Sequence, residues 1–295
     1  MTHDPTFESH RPRLFGLAYR LLGSRADAED TVQDAWLRWQ ASDRSAIRDP
    51  EAWLVTATTR LGLDRLRAAR SARVHYVGPW LPEPLEIADA EDADPAERHD
   101  RAEQVSLAFL ALLERLGPHE RAAFLLKEAF DYDYAQIGRT LERSEAGCRQ
   151  LVHRARERLG QGQARFAVTP ERHRQLLERF LHASQRGDRA AIAALLHADA
   201  QLRSDGGGKV TASLRPLHGA ERIGRLYWAV ARRSLGLQAR IGTVNGEPAI
   251  LRFLGPRLHS ATVLVIDGER IAEVLTLMNP DKLPVPTARP AASRT

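Results

Sequence analysis

The chain has 295 residues, 43% of them hydrophobic, which is enough for two or three modest domains with real cores. Its 43 basic and 38 acidic residues give a net charge of +5, and the great majority of the basic residues are arginines. A single cysteine, Cys148, excludes an internal disulfide framework and a cysteine-rich zinc site. The N-terminus is polar and no apolar run approaches the roughly 18 residues of a membrane span, so we expect a cytoplasmic protein that does not contact a membrane.

Residues 7–40 predict two amphipathic helices that are separated near Gly23 and Ser24. In both helices, apolar residues recur at the three- and four-residue spacing that lines one helical face. These residues are Leu14, Leu17, Ala18 and Leu21 in the first helix and Ala28, Val32, Ala35, Trp36 and Trp39 in the second. The polar face of the second helix carries acidic residues, and a solvated surface is the usual role of such a face.

This stretch contains the letters LFGLAYRLLGSRADAEDTVQDAWLRW. It closely resembles region 2 of bacterial extracytoplasmic-function (ECF) sigma factors, in which the second helix grips the clamp helices of the RNA polymerase beta-prime subunit. The resemblance implies that Asp30, Gln33 and Asp34 contact core RNA polymerase. It also implies that Trp36 and Trp39 belong mostly to the core.

A third helix is predicted to begin at Pro50, which suits the first position of a helix, and to continue through Arg70. Residues 60–73 hold five arginines and one acid, a basic strip suited to binding phosphates. The segment resembles the part of region 2 that melts the −10 promoter element, although the letters T-T-R at 58–60 replace the usual A-R-N. On that resemblance Arg60, Asp64 and Arg67 contact −10 DNA.

Residues 76–100 predict an acidic linker with prolines at 79, 82, 84 and 95. One interpretation is a solvated tether, but an exposed Trp80-Leu81 pair is unusual for a passive spacer. The letters W-L-P-E-P resemble the linker of the ECF subgroup that carries a C-terminal SnoaL-like extension. The resemblance implies regulatory interdomain contacts at Trp80, Leu81, Pro82, Glu83 and Pro84.

Residues 101–162 predict two helices joined by a turn of about three residues. Ser144 is a good N-cap for the second helix. This helix has an apolar face and, on its other side, a basic face. The apolar face consists of Cys148, Leu151, Val152, Ala155 and Leu159. Spacing alone leaves two interpretations open: a DNA-binding helix-turn-helix, or a helical hairpin with a solvated basic face.

Residues 116–159 resemble region 4 of the same sigma factors, and this favours the helix-turn-helix. Guanidinium groups can reach phosphates or guanine edges, and an amide can pair with adenine. The second helix is therefore expected to bind the −35 element through Arg149, Gln150, His153 and Arg154. Leu151 stands where the family often has arginine, so no DNA contact is assigned to it.

After Pro170 the pattern predicts an α+β domain over residues 170–283. Helices are expected at 171–186, 189–196 and 220–233, and strands at 200–204, 209–213, 238–244, 249–253, 260–266 and 270–277. Helices followed by an antiparallel meander are similar to SnoaL-like cone folds. Residues 284–295 are expected to form a disordered tail.

The letters D-G-G-G-K at 205–209 suggest either an anion-binding nest or a generic tight turn, and the spacing excludes a P-loop. In the SnoaL-fused sigma subgroup, D-G-G-G-K and a terminal N-P-D-K-L recur, and both are intact here. The resemblance implies regulatory contacts at Asp205, Gly206, Gly207, Gly208, Lys209, Asn279, Pro280, Asp281, Lys282 and Leu283.

The sequence thus predicts a multidomain ECF sigma factor: all-α regions 2 (1–75) and 4 (101–162), then an α+β SnoaL-like domain that regulates them. The expected partners are promoter DNA and core RNA polymerase, through the beta-prime clamp helices and the beta flap, without a separate anti-sigma factor. No cofactor, metal or catalytic residue is assigned. The alternative is a small-molecule-binding or cyclase-like enzyme with a DNA-targeting helical half, for which His218, His259 and Asp205 are candidate acid–base groups.

Overall fold

The computed structural model describes residues 4–89, 105–163, 169–233 and 236–283. The chain forms two compact units, one of Met1–His75 and Phe109–Ala164 and the other of Tyr76–Ala108 and Arg165–Thr295. The end of the predicted linker and the predicted tail at 284–295 lie outside the described residues. Across the described ranges, no helix has the length and apolarity that crossing a membrane requires.

The first half of the helical unit contains α1 (Pro5–Leu22), α2 (Arg25–Ala41) and α3 (Pro50–Arg73), with a short 3-10 turn at Arg44–Ala46. Gly23 ends α1 in the left-handed conformation, with φ of 67°, and the Ser24 side chain caps α2. The break predicted at these two residues is confirmed. Asp49 caps α3, which begins at Pro50 and runs three residues beyond the predicted end.

The second half of this unit contains α5 (Pro118–Glu128), α6 (Tyr134–Leu141) and α7 (Glu145–Gln163); α4 (Leu107–Leu113) precedes them. The Ser144 hydroxyl accepts a hydrogen bond from the Gly147 amide at 3.2 Å, so Ser144 caps α7 as predicted. Gly138 lies where α6 meets the turn, and a Cβ there would come within 2.7 Å of the Arg143 carbonyl oxygen. This close approach allows the tight turn of the helix-turn-helix.

The cores of the helical unit follow the predicted stripes. The completely buried side chains include Leu14, Leu17, Leu21, Leu54 and Leu66. Cys148, Val152, Ala155 and Leu159 are also buried, whereas Leu151 is only partly buried. Trp36 and Trp39 are buried as well, so their assignment to the core is confirmed.

The second unit is an α+β domain with a seven-stranded sheet in the order β1-β4-β5-β6-β7-β2-β3. Its strands are β1 (Ile87–Asp89), β2 (Leu196–Asp205), β3 (Leu217–His218), β4 (Leu237–Val244), β5 (Glu247–Leu254), β6 (Arg257–Asp267) and β7 (Arg270–Leu277). Helices α8 (Pro170–Arg186), α9 (Arg189–Leu195) and α10 (Ala220–Arg233) complete it. Leu176, Phe180, Ile223 and Tyr227 from the helices share one buried cluster with Ile250, Leu264 and Val274 from the sheet.

The sheet differs from the predicted antiparallel meander in three respects. β4 to β7 form the expected meander, but β2 pairs with β7 in parallel. The strand predicted at 209–213 is wrong, because Gly207 and Gly208 have φ of 58° and 72° and turn the chain back before the short strand β3. β1 comes from the linker and pairs with β4, although its three residues carry no recognisable strand pattern.

Candidate polymerase, promoter and linker sites

The residues predicted to read the −35 element lie together on the exposed face of α7. Arg149, Gln150, His153 and Arg154 are all exposed, opposite the buried face of the helix. Arg149 pairs with Glu145 at 3.1 Å and its guanidinium lies 5.2 Å from the centre of the Tyr134 ring. Arg154 forms no ion pair with any described side chain, so its guanidinium remains available to a ligand.

The residues predicted to contact polymerase lie along one stripe of α2. Asp30 and Gln33 are exposed, and Asp34 is partly buried because it pairs with Arg65 at 2.8 Å. Leu37 occupies the next position on this stripe and is 53% exposed, which is unusual for a large apolar side chain. Sequence reasoning missed Leu37, although its spacing of seven residues from Asp30 places it on the same face.

The residues predicted to contact −10 DNA bind other parts of the helical unit. Arg60 donates hydrogen bonds to the backbone carbonyls of Thr140 (3.0 Å) and Arg139 (2.9 Å), and it pairs with Glu142 at 3.1 Å. These three partners lie at the C-terminal end of α6, where helical carbonyls lack partners within the helix. Arg60 therefore links region 2 directly to the helix-turn-helix.

Arg67 makes a second link of this kind. Its guanidinium pairs with Asp64 at 2.8 Å and lies 3.0 Å from Nε2 of His119, the second residue of α5. Partial burial, together with the positive charges of Arg143 and Arg67, lowers the pKa of His119. The neutral ring can then accept a hydrogen bond from Arg67, so the pair does not place two positive charges side by side.

Further along α3, the basic strip meets the loop between α4 and α5. Arg70 donates to the carbonyls of Glu114 and Leu116, and Arg73 pairs with the Glu114 carboxylate at 2.7 Å. The same carboxylate lies 2.7 Å from Arg121, in an ion pair without hydrogen-bond geometry. Arg70 and Arg73, two arginines of the strip predicted to bind phosphates, thus bind carbonyls and a carboxylate of region 4.

Arg121 is the most deeply buried of these arginines, with 1% of its surface exposed. Burial lowers its pKa, and the negative charge of Glu114 opposes this effect. The guanidinium donates to the carbonyls of Leu113 (2.9 Å) and Leu21 (2.7 Å), the second of which belongs to α1. Regions 2 and 4 therefore share a buried polar contact in addition to the contacts of α3.

In the second unit, the three motifs of the predicted regulatory surface meet at Asp205, which is fully buried. One carboxylate oxygen accepts hydrogen bonds from the Tyr76 hydroxyl (2.6 Å) and the Gly207 amide (3.1 Å). The other accepts from the Leu81 amide (2.8 Å) and the Lys282 ammonium (2.7 Å). We call these five residues the Asp205 cluster.

Lys282 and Asn279 extend the Asp205 cluster to the linker. Lys282 donates to the Leu81 carbonyl at 2.6 Å, and its ammonium lies 4.2 Å from the centre of a Trp80 ring. Asn279 donates to the Tyr76 hydroxyl at 2.9 Å. Burial, and then the hydrogen bond and charge of Asp205, raise the pKa of Tyr76 well above its usual value, which keeps the phenol protonated.

The expected exposure of the Trp80-Leu81 pair is wrong. Leu81, Pro82 and Pro84 are buried, and Trp80 is partly buried. Gly207 and Gly208 contribute to this packing, because a Cβ on Gly207 would overlap Asn279 and a Cβ on Gly208 would lie 3.1 Å from Val77. The segment at 76–89 therefore packs on the α+β domain instead of forming a solvated tether.

The candidate acid–base groups of the enzyme alternative are not brought together. Among the described residues, four groups donate to the Asp205 carboxylate, and neither His218 nor His259 is one of them. Burial and two nearby arginines lower the pKa of His259. Within the described ranges, no three His, Cys, Asp or Glu side chains form a group that could hold a metal ion.

Two parts of the chain match known families. Sigma-70 region 2 matches residues 6–72, and Sigma-70, region 4 matches residues 106–159. The first match spans α1 to α3, and the second runs from the start of α4 into α7. The helical unit is thus that of a sigma-70-type transcription initiation factor.

The chain belongs to the ECF RNA polymerase sigma factors. It is 37% identical to ECF RNA polymerase sigma factor SigJ of Mycobacterium tuberculosis strain H37Rv, over 94% of this chain and 91% of the relative. It is 32% identical to the probable ECF RNA polymerase sigma factor SigI of M. tuberculosis strain CDC 1551, over 95% of this chain and 96% of the relative. The crystal structure of M. tuberculosis SigJ matches with a TM-score of 0.72 and 34% identity, over 94% of this chain and 96% of that one.

Family membership confirms the function and the fold class that the sequence predicts. The protein is a non-enzymatic sigma factor, and as such it binds core RNA polymerase and promoter DNA. Helical regions 2 and 4 are followed by an α+β sheet domain, in agreement with the SigJ structure. The cyclase-like alternative is not favoured.

Proposed function

We propose that α7 reads the −35 element through Arg149, Gln150, His153 and Arg154. Support comes from their exposure on one face of a capped helix whose other face is buried. Arginine forks suit guanine, and the glutamine amide suits adenine. Region 4 would also contact the beta flap of core polymerase.

The proposed −10 surface on α3 is made of Arg60, Asp64 and Arg67. Because Arg60 and Arg67 bind region 4 in the described arrangement, these side chains must leave their present partners before they can bind DNA. The isolated chain is therefore in a closed, inactive arrangement. Opening exchanges carbonyl and carboxylate partners for phosphates, so the cost of breaking the contacts is partly recovered on DNA.

The proposed polymerase surface is the α2 stripe of Asp30, Gln33 and Asp34, which would bind the beta-prime clamp helices. We add Leu37 to this stripe as an apolar contact that loses water when polymerase binds. Burying an exposed leucine contributes roughly 1.5 kcal/mol or more. Protein interfaces commonly have an apolar core surrounded by a polar rim. In this stripe, Leu37 would supply the apolar core and the carboxylates would supply the rim.

The C-terminal domain is proposed to regulate regions 2 and 4 by holding the linker between them. The observation that carries this proposal is the Asp205 cluster, in which three separate sequence motifs share one buried carboxylate. A covalently attached domain acts at high effective concentration, so a separate anti-sigma factor is not required. The protein would act in the cytoplasm, where core polymerase and the chromosome are found.

Charge reversal at Asp30 is expected to weaken binding to core polymerase by on the order of tenfold. Asp30 is exposed and forms no ion pair with any described side chain, so Asp30→Arg should leave the circular dichroism spectrum unchanged. Asp34→Arg is a less clean variant, because it also breaks the pair with Arg65. Undiminished holoenzyme assembly by Asp30→Arg, with Glu8→Arg on α1 as the exposed control, would remove the assignment of α2 to polymerase.

Arg154→Ala is expected to weaken holoenzyme binding to the cognate −35 element by about 1–3 kcal/mol if the guanidinium reads a base. The loss should be smaller on DNA with a scrambled −35 element. Arg156→Ala is the matched control, since Arg156 is exposed on the same helix but pairs with Glu128 at 2.6 Å. Equal losses on both DNAs would identify Arg154 as a phosphate contact only.

A further inference from the structure

The turn between β4 and β5 contacts the linker at two places that are distant in sequence. Asn245 and Gly246 form this turn with φ of 48° and 76°, the positive values that favour Asn-Gly in tight hairpins. Asn245 is 3% exposed although it lies at a hairpin tip, where most asparagines are solvated. Its side chain is buried because the linker covers it.

The first end of the linker is held by the acceptor side of Asn245. Its Oδ1 accepts hydrogen bonds from the backbone amides of Leu85 (2.8 Å) and Glu86 (3.2 Å), and the backbone N–H of Asn245 donates to the Glu86 carbonyl at 2.9 Å. Immediately afterwards, β1 pairs with β4, with Ile87 opposite Val244. The linker is thus fixed to this hairpin from residue 85 to residue 89.

The second end is held by the donor side of the same residue and by Glu247. Asn245 Nδ2 donates to the Val105 carbonyl at 3.0 Å. The Glu247 carboxylate accepts hydrogen bonds from the Ser106 hydroxyl and from the Ala108 amide in the first turn of α4. One side-chain amide therefore connects the chain before residue 90 to the chain after residue 104.

We propose that Asn245 and Glu247 form a linker clasp that limits the separation of regions 2 and 4. The proposal deepens the regulatory role of the C-terminal domain and rests on it. With both ends at one turn, residues 90–104 add no reach between the two regions. Releasing either end adds up to about 50 Å of extended chain, since an extended residue spans at most about 3.3–3.6 Å.

The added length matters because the two promoter elements are far apart. The −35 and −10 elements are named for their positions on the promoter, which differ by 25 base pairs. This corresponds to about 85 Å of duplex at 3.4 Å per base pair. A tether of about 50 Å is a large part of that distance. The clasp therefore favours the closed arrangement in the free protein and opens when the two regions separate on polymerase and DNA.

Asn245→Gly tests the clasp without straining the turn. Glycine accepts the positive φ of residue 245, and the variant loses the side-chain hydrogen bonds to Leu85, Glu86 and Val105. We expect hydrogen exchange of the Leu85 and Glu86 amides in the full-length protein to become about tenfold faster. Asn245→Asp separates the two ends, because it keeps the acceptor for Leu85 and Glu86 and loses the donor to Val105.

The separation of the two regions is measured by single-molecule energy transfer. Dyes at Ser9→Cys and Glu157→Cys report on regions 2 and 4, because both positions are exposed and the native Cys148 is buried. We expect the population with low transfer efficiency to grow several-fold in both Asn245 variants. Glu269→Ala, in the exposed β6–β7 turn, is the control and should match the wild type.

Each outcome decides the proposal. Unchanged exchange, or faster exchange with an unchanged distance distribution, overturns the clasp, because the hydrogen bonds would then fix only local structure. If the distances stay unchanged while variants of the Asp205 cluster alter transcription, the clasp fails and the regulatory role stands. Loss of folding by Asn245→Gly leaves the decision with Asn245→Asp, which retains both contacts to the first end of the linker.

Discussion

Asp205→Ala is expected to lower the free energy of unfolding of the α+β unit by about 3–5 kcal/mol, the usual cost of removing one partner from a buried ion pair. Asp205 is 0% exposed and the Lys282 side chain is 12% exposed, so the substitution removes one partner of a largely buried ion pair. The hydroxyl of Tyr76 and the amides of Leu81 and Gly207 would also lose their acceptor. Urea unfolding of the full-length protein, followed at the transition of this unit, measures the loss.

The same motifs provide a matched control. Lys209 and Asp281 form an ion pair between the D-G-G-G-K and N-P-D-K-L segments, but both side chains are more than half exposed. Lys209→Ala should therefore cost at most about 1 kcal/mol. The double variant Asp205→Ala/Lys282→Met should be less destabilised than Asp205→Ala alone, because it removes both members of the buried ion pair.

A functional consequence follows from the position of the Asp205 cluster on the linker. In reconstituted transcription with core polymerase, Asp205→Ala and a truncation after Met278 should both change promoter-directed output, while Lys209→Ala should not. The truncation removes Asn279 and Lys282, the two C-terminal members of the cluster's network. Wild-type output from all the variants would contradict regulation by this domain, and an Asp205→Ala loss below about 1 kcal/mol would contradict the stability argument.

The helix-turn-helix could be predicted from sequence because its determinants are local. The cap at Ser144, the periodicity of α7 and the tight turn near Gly138 all lie within a few tens of residues. The exposed face of α7 follows from its buried face once the helix is placed. Prediction succeeded where short-range geometry fixes which way a side chain points.

The contacts that we propose to regulate the protein are long-range and could not be predicted in this way. Leu81 donates to Asp205 across 124 residues, and Lys282 donates to the Leu81 carbonyl across 201. The arginine strip of α3 is equally suited to phosphates and to carbonyls, so its composition does not identify its partner in the free protein. β1 is three residues long, and its pairing depends on the neighbouring strand more than on its own letters.

Glu247 is expected to make the protein less stable as the pH rises from about 4.5 to about 7. Burial of its carboxylate raises its pKa to about 7, although the Ser106 hydroxyl and the Ala108 amide favour the charged form. The side chain is partly exposed as a whole, but Oε2 is buried without a hydrogen-bond partner, and burial of this atom explains the direction. Because the native pKa lies above the unfolded one, the folded state binds the proton more tightly, and ionisation at higher pH opposes folding.

At about 1.4 kcal/mol per pKa unit, the decrease amounts to about 3 kcal/mol, complete above pH 7 and absent below pH 4.5. Glu247→Gln keeps an acceptor for the Ala108 amide and removes the charge, so it should be more stable than the wild type at pH 8. Burial lowers the pKa of His173 and His259, which gives the opposite slope below about pH 6.5 in both proteins. The difference between the wild-type and Glu247→Gln unfolding free energies, measured from pH 5 to pH 8, therefore isolates Glu247. A difference that stays constant across this range would mean that the carboxylate is already ionised in the folded protein and that burial does not control it.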